Sequence, residues 1–158
     1  MSEAVNHPPR PPLLPSASIE WFHVPLRLED LPPQWQVTSL QKSIALLEML
    51  AQAILLWFRP IKHSGGTMVQ HCDNLPAVGS TAKSLASAEP YCYGLQAFSA
   101  VCIKRQVQAH LTHVAGERNE WADKLSRMNA EHSNFRGCLD ATLEHKVDLN
   151  DFLSSMRL

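Results

Sequence analysis

The chain has 158 residues, 45% of them hydrophobic and 18% charged, which is the profile of one soluble domain with a single core and excludes a disordered acidic or basic tail. Fourteen Lys and Arg against fifteen Asp and Glu leave a formal net charge of -1. Bulk positive charge therefore cannot be the grip on a nucleic acid, and any such contact has to be local.

Four cysteines, Cys72, Cys92, Cys102 and Cys138, show no C-x-x-C spacing, and the first residues do not form a basic-then-apolar signal peptide. The expectation is a reducing, intracellular compartment, cytoplasmic or nuclear. The longest apolar run, Ile44 to Phe58, has 13 apolar residues out of 15 and is interrupted by Glu48 and Gln52. It falls short of the roughly 20 residues needed to cross a bilayer and reads as a buried helix, so no membrane association is expected.

In chain order, residues 1–18 carry five prolines and read as a Pro-rich, disordered leader. IEWFHVPLRL (Ile19 to Leu28) has strand-forming residues, with Pro25 marking an edge position or an early end. Thr38 and Gln41 fit a capping box that opens a long helix running to about Arg59, where Pro60 stops it. Gly65-Gly66 turns the chain into a strand, TMVQHC, which ends at Asp73-Asn74. Helices are expected between Pro76 and Ala88 and from Pro90 to about Arg105, the second with Tyr91, Leu95, Phe98 and Cys102 along one side. VQAHLTH then alternates, with Val107, Ala109 and Leu111 on one face and Gln108, His110 and Thr112 on the other, as a half-buried strand does. Gly116 breaks it, and Asn119 is placed to cap a final helix lined by Trp121, Leu125 and Met128. Residues 131–158 are more polar and read as a loosely attached helical extension. The order of elements predicts a layered α/β domain with helices packed on a mixed sheet.

Three acids stand where chemistry is plausible. Glu48 lies in an almost wholly apolar helix, where an ionised carboxylate needs a partner or a metal; the alternative is that Glu48 and Gln52, one turn apart, mark a narrow solvent-facing stripe. Asp73 ends a strand, the place where open α/β sheets bind ligands, although Asp-Asn also forms ordinary turns and caps. Asp123 sits one turn after Asn119, where a carboxylate also serves to complement the helix dipole. Taken together, clustered acids suit Mg²⁺, and two such ions about 3.5–4 Å apart drive phosphodiester hydrolysis. A zinc site built from His71, Cys72, His110 and His113 is disfavoured, because neighbouring strand positions point to different faces. Lys104, Arg105, Arg118, Lys124 and Arg127 give the last third a basic bias that suits either a phosphate backbone or a solvated surface.

HVAGERNEWADKLSR (His113 to Arg127) resembles the ending of ribonuclease H-like domains in retrotransposon reverse transcriptases, with their H-x-x-G-x-x-N turn and A-D-x-L-S-R helix. VQHCDN (Val69 to Asn74) resembles the family's central strand, and ALLEMLAQAILL (Ala45 to Leu56) its first helix. The resemblance covers residues 19–130. It implies an α/β, ribonuclease H-like mixed sheet with flanking helices. Glu48, Asp73 and Asp123 would be three of four carboxylates that bind Mg²⁺ or Mn²⁺ and catalyse hydrolysis of RNA in RNA–DNA hybrids. The fourth, a first-strand Asp often found as Asp-Ala-Ser, has no counterpart: Ser16-Ala17-Ser18 precedes the Ile19 segment. The expectation is an N-terminally truncated domain lacking its first two strands, with weak or no activity. Its partners would be an RNA–DNA hybrid or other nucleic acid, and the rest of a reverse transcriptase polyprotein. The alternatives are a catalytically dead module that binds nucleic acid or protein, or a retrotransposon relic.

Overall fold

The computed structural model describes residues 19–36, 40–58, 65–84, 91–127 and 139–156. Its elements follow in the order α1 (Leu40–Phe58), β1 (Thr67–Cys72), α2 (Leu75–Lys83), α3 (Tyr91–Arg105), β2 (Gln108–His113), α4 (Glu120–Ser126) and α5 (Leu149–Ser155). The architecture is α/β. Among the described residues the sheet has two strands, and they are parallel rather than mixed, with Thr67 opposite Gln108 and Cys72 opposite His113. Parallel neighbours require a long crossover, and here α2 and α3 supply it.

The helix after Pro32-Pro33 and the strand TMVQHC form as their patterning predicts, whereas the Thr38 cap and the Pro60 stop lie outside the described residues. Gly65 enters β1 at φ +82°, a conformation open to glycine without a side-chain clash. Asn74 caps α2 by accepting from the Ala77 amide at 3.0 Å. That helix ends at Lys83 and not at Ala88, because Ser84 turns left-handed at φ 48°. Asn119 occupies the cap position of α4 but its side chain makes no capping bond, and Met128 lies outside the described residues.

Two expectations are corrected. The segment Ile19–Leu28 is not a strand: Trp21 alone forms a bridge, to Glu144, and Leu28–Asp30 is a 3₁₀ turn. Trp21 is instead tied to the C-terminal segment. Its amide donates to the Leu143 carbonyl (3.1 Å), its indole N–H to the Asp140 carbonyl (2.8 Å), and its carbonyl accepts from His145 (2.8 Å). Pro25, with no N–H to give, cannot extend the ladder. The C-terminal segment, for its part, is not loosely attached. Phe152 of α5 is 3% exposed and stands edge-on to Trp57 of α1, with ring centroids 6.1 Å apart.

Helix α1 is the centre of the core. Leu46, Met49, Ala53 and Leu56 are fully buried, and α3 crosses them with Phe98 and Val101. The crossing is close at Gly94, where a β-carbon would stand 3.1 Å from Leu46 Cδ1 and from Met49 Cβ and Cε. The polar Gln52 of α1 is turned away from solvent. Gln52 is 8% exposed, while the apolar Ile44 and Leu55 are 49% and 36% exposed. The reading of Glu48 and Gln52 as a solvent-facing stripe does not hold, because Gln52 is buried and directed at a strand and Glu48 is only partly exposed.

That strand is β1, and the two elements are laced by their side-chain amides. Gln52 Nε2 donates to the His71 carbonyl (3.0 Å), and Gln70 Nε2 donates to the Gln52 carbonyl (3.3 Å). The Gly66 and Cys72 carbonyls accept from Gln108 and Val114, on the β2 side, so the alternating backbone turns the His71 carbonyl to the outer edge. Gln52 thus satisfies a backbone acceptor that β2 cannot reach.

Gly94→Ala is expected to destabilise the protein by about 1–3 kcal/mol through overpacking, because Met49 Cβ is fixed to the helix backbone and cannot give way. Phe152→Ala is expected to cost roughly 3–5 kcal/mol, the range for a buried aromatic. Urea unfolding monitored by circular dichroism checks both, and a neutral Phe152→Ala would contradict the place of α5 in the core.

Candidate metal centre at the end of β1

Strand β1 presents Met68, Gln70 and Cys72 to α1, and Thr67, Val69 and His71 to the opposite, exposed face. The last inward residue, Cys72, is 1% exposed, and Asp73 follows where the strand ends. Glu48 projects from α1 to the same place. One carboxylate oxygen each of Glu48 and Asp73 and the Cys72 sulfur lie within 4.8 Å of one another. The thiol contacts Glu48 Oε2 at 3.8 Å and the Asn74 carbonyl at 4.0 Å.

Because Asn74 has taken the capping role at the start of α2, Asp73 is left to face Glu48 and the turn after β2. A β-carbon on Gly116, the first residue of that turn, would stand 4.0 Å from Asp73 Oδ2. The backbone therefore passes close to the carboxylate, and exposed Arg118 follows two residues later in the same 3₁₀ turn.

Asp123 is placed differently. It lies in the first turn of α4 and its Oδ1 pairs with Arg127 Nε at 3.2 Å, one helical turn away. It is not a member of the Glu48–Cys72–Asp73 cluster. Of the three acids singled out from the sequence, the structure brings two together and gives the third a guanidinium partner. Lys124, from the basic set, is likewise paired, with Glu120 at 2.6 Å.

The electrostatics follow from the geometry. Burial holds the Glu48 pKa above the usual glutamate value, and the nearby charge of Asp73 pushes it further, against a smaller opposing effect of the Cys72 thiol. Burial likewise raises Cys72, to about 11, so its thiol stays protonated at neutral pH and is not poised as a nucleophile. Two carboxylates drawn together in this way form a donor set for a divalent cation, whose charge relieves their repulsion, and oxygen donors suit Mg²⁺.

The sequence pairs Cys72 with histidines, as a disfavoured zinc site, and not with acids. His113 is opposite Cys72, while His71 and His110 lie on the exposed face, where His71 Nδ1 meets Thr112 Oγ1 at 2.9 Å. The usable signal was the strand alternation, which puts Gln70 and Cys72 on the side that α1 covers. No protein-family model, curated protein or solved structure matches the chain. Among the described residues no helix is long and apolar enough to cross a membrane.

Glu48 holds its proton to higher pH in the folded protein than in the unfolded chain. Folding therefore loses stability as pH rises from the ordinary glutamate range through the folded value. Glu48→Gln removes that loss. Its melting temperature is expected to match the parent below about pH 4, and to exceed it increasingly as the parent glutamate ionises. Thermal melts across pH check this, and a constant offset would show that ionisation of Glu48 is not the cause.

Proposed function

We propose that this chain is a ribonuclease H-like domain that holds RNA–DNA hybrids through backbone shape and cleaves them only weakly. The reading rests on one observation: Glu48 of α1 and Asp73 at the end of β1 share a site, while Asp123 is turned to Arg127. This agrees with the motif order that resembles the family, in which the helix acid and the central-strand acid belong to one centre.

The residues fit a single Mg²⁺ or Mn²⁺ held between Glu48 and Asp73. When bound, such an ion polarises a phosphoryl oxygen and lowers the pKa of water. Asp73 contributes its carboxylate from just past the end of a parallel strand, the end at which open α/β sheets bind ligands. Glu48 contributes from a helix locked into the core by Leu46 and Met49. Arg118, exposed in the turn that begins beside Asp73, is placed to contact a phosphate of the hybrid backbone. Two-ion hydrolysis requires further oxygen ligands, and the Asp123–Arg127 pair withholds one of them. The outcome is recognition by shape and 2′-hydroxyls, with slow hydrolysis.

Binding of a fluorescent RNA–DNA hybrid, followed by anisotropy at several salt concentrations, tests the first half. Arg118→Ala is expected to weaken binding and to lower the salt slope by about one. Gel assays with Mn²⁺ test the second half: cleavage is expected to be slow and to vanish in Asp73→Asn. Absence of hybrid binding at low salt overturns the hybrid reading, and rapid cleavage in Mg²⁺ overturns the weak-activity reading.

A further inference from the structure

An all-oxygen reading of the site leaves Cys72 unexplained. We propose that Glu48, Cys72 and Asp73 form a site for a thiophilic divalent cation of the Zn²⁺ or Cd²⁺ kind, bound by one oxygen from each acid and by the Cys72 sulfur. The inference rests on the preceding reading in one respect, that Glu48 and Asp73 jointly hold a cation, and it names which cation they prefer.

Three donors from two elements already stand within 4.8 Å of one another, so little rearrangement is needed to close on one ion. The thiol has only two weak contacts, at 3.8 and 4.0 Å, although its residue is 1% exposed. One of them is to the Glu48 carboxylate, and an Asp73 carboxylate oxygen lies within 4.8 Å. Thiolate is a soft ligand that favours Zn²⁺ and similar ions, whereas Mg²⁺ requires hard oxygen donors in near-octahedral array and keeps several waters.

A second observation comes from the wall of the same seam. Gln52 lies one turn beyond Glu48 on α1, and Gln70 lies two residues before Cys72 on the same face of β1. Both side chains are more than nine-tenths buried, at 8% and 3% exposure, and each leaves its amide oxygen without a donor. Unmet buried acceptors of this kind cost about 1–3 kcal/mol each. Water carried by a cation in the seam is a donor, and a dry apolar packing of α1 on β1 supplies none. Binding is balanced as Cys–SH plus M²⁺ giving Cys–S–M⁺ plus H⁺, with the sulfur–hydrogen bond broken, the sulfur–metal bond formed and the proton passed to solvent.

Co²⁺ titrated into the full chain is the probe, because a cobalt–thiolate bond gives a near-ultraviolet charge-transfer band that carboxylates do not. The band is expected at one ion per chain, to be displaced by Zn²⁺ but not by a large excess of Mg²⁺, and to disappear in Cys72→Ser. It is expected to persist in Cys92→Ser, Cys102→Ser and Cys138→Ser, and Glu48→Gln is expected to weaken Co²⁺ at least about tenfold while keeping the band. Circular dichroism establishes that each variant is folded, and the Glu48→Gln result stands independently of Cys72→Ser. Co²⁺ bound without the band, or with the band intact in Cys72→Ser, overturns the thiophilic site while Mg²⁺ binding by the two acids can still be measured by competition. No binding of Co²⁺ or Mg²⁺ overturns both.

Discussion

The packing of α1 against β1 is the constraint on which the rest of this structure depends. A two-stranded parallel sheet has too little surface to bury a core by itself. Here a 19-residue helix supplies the core, with α3 closing on it at Gly94 and α5 sealing its C-terminal end through Phe152. A helix that is apolar almost all round has no strongly preferred buried face, so its orientation is set by its few polar groups. The Gln52 and Gln70 amides fix that orientation, one tying the helix to the strand edge and the other tying the strand to the helix backbone. Once Gln52 is directed at His71, Glu48 one turn earlier is carried to the end of the strand.

The site is a consequence of this lacing. Parallel strands deliver their C-terminal residues to one end of the sheet, and the chain must turn there to enter the crossover helix. Asn74 makes that turn by capping α2, which leaves Asp73 beside Glu48 and Cys72. Burial raises the Glu48 pKa and the nearby charge of Asp73 adds to the rise, so the proximity is electrostatically unfavourable. Asp123 escapes the same repulsion by pairing with Arg127 on an exposed helix. Two acids that share a site and one that is paired with Arg127 make the asymmetry from which the weak-cleavage proposal follows.

Much of this was legible in the residues. The span of β1, the course of α1 and α3 and the alternation of β2 came from local patterns that report local physics: glycine turns, apolar runs and period-two burial. The failures share a cause. Ile19–Leu28 has strand propensity, but a strand exists only where a partner edge is available, and Trp21 found its partner more than a hundred residues away at Glu144. The polar composition of 131–158 concealed Phe152, the aromatic that anchors α5. The orientation of Glu48 and Gln52 could not be read from helical periodicity, because a helix with apolar residues on every side gives no contrast. Around Cys72 the sequence shows His71 and Asp73, whereas the second acid beside it, Glu48, comes from another element.

The same geometry separates the chemistries open to Cys72. A nucleophilic cysteine needs a lowered pKa, a nearby base or cationic group and access to solvent; this one is raised to about 11, stands beside two acids and is 1% exposed. Cys72 belongs to the buried core, and its sulfur also contacts a carboxylate and a carbonyl. Burial is the main cause that keeps the thiol protonated, and the negative neighbours that add to it are the ones a cation is drawn to; in the proposed site the metal–sulfur bond replaces that proton. The acids that disfavour a free thiolate at Cys72 are therefore the same ones that, in the proposed site, would share a cation with it.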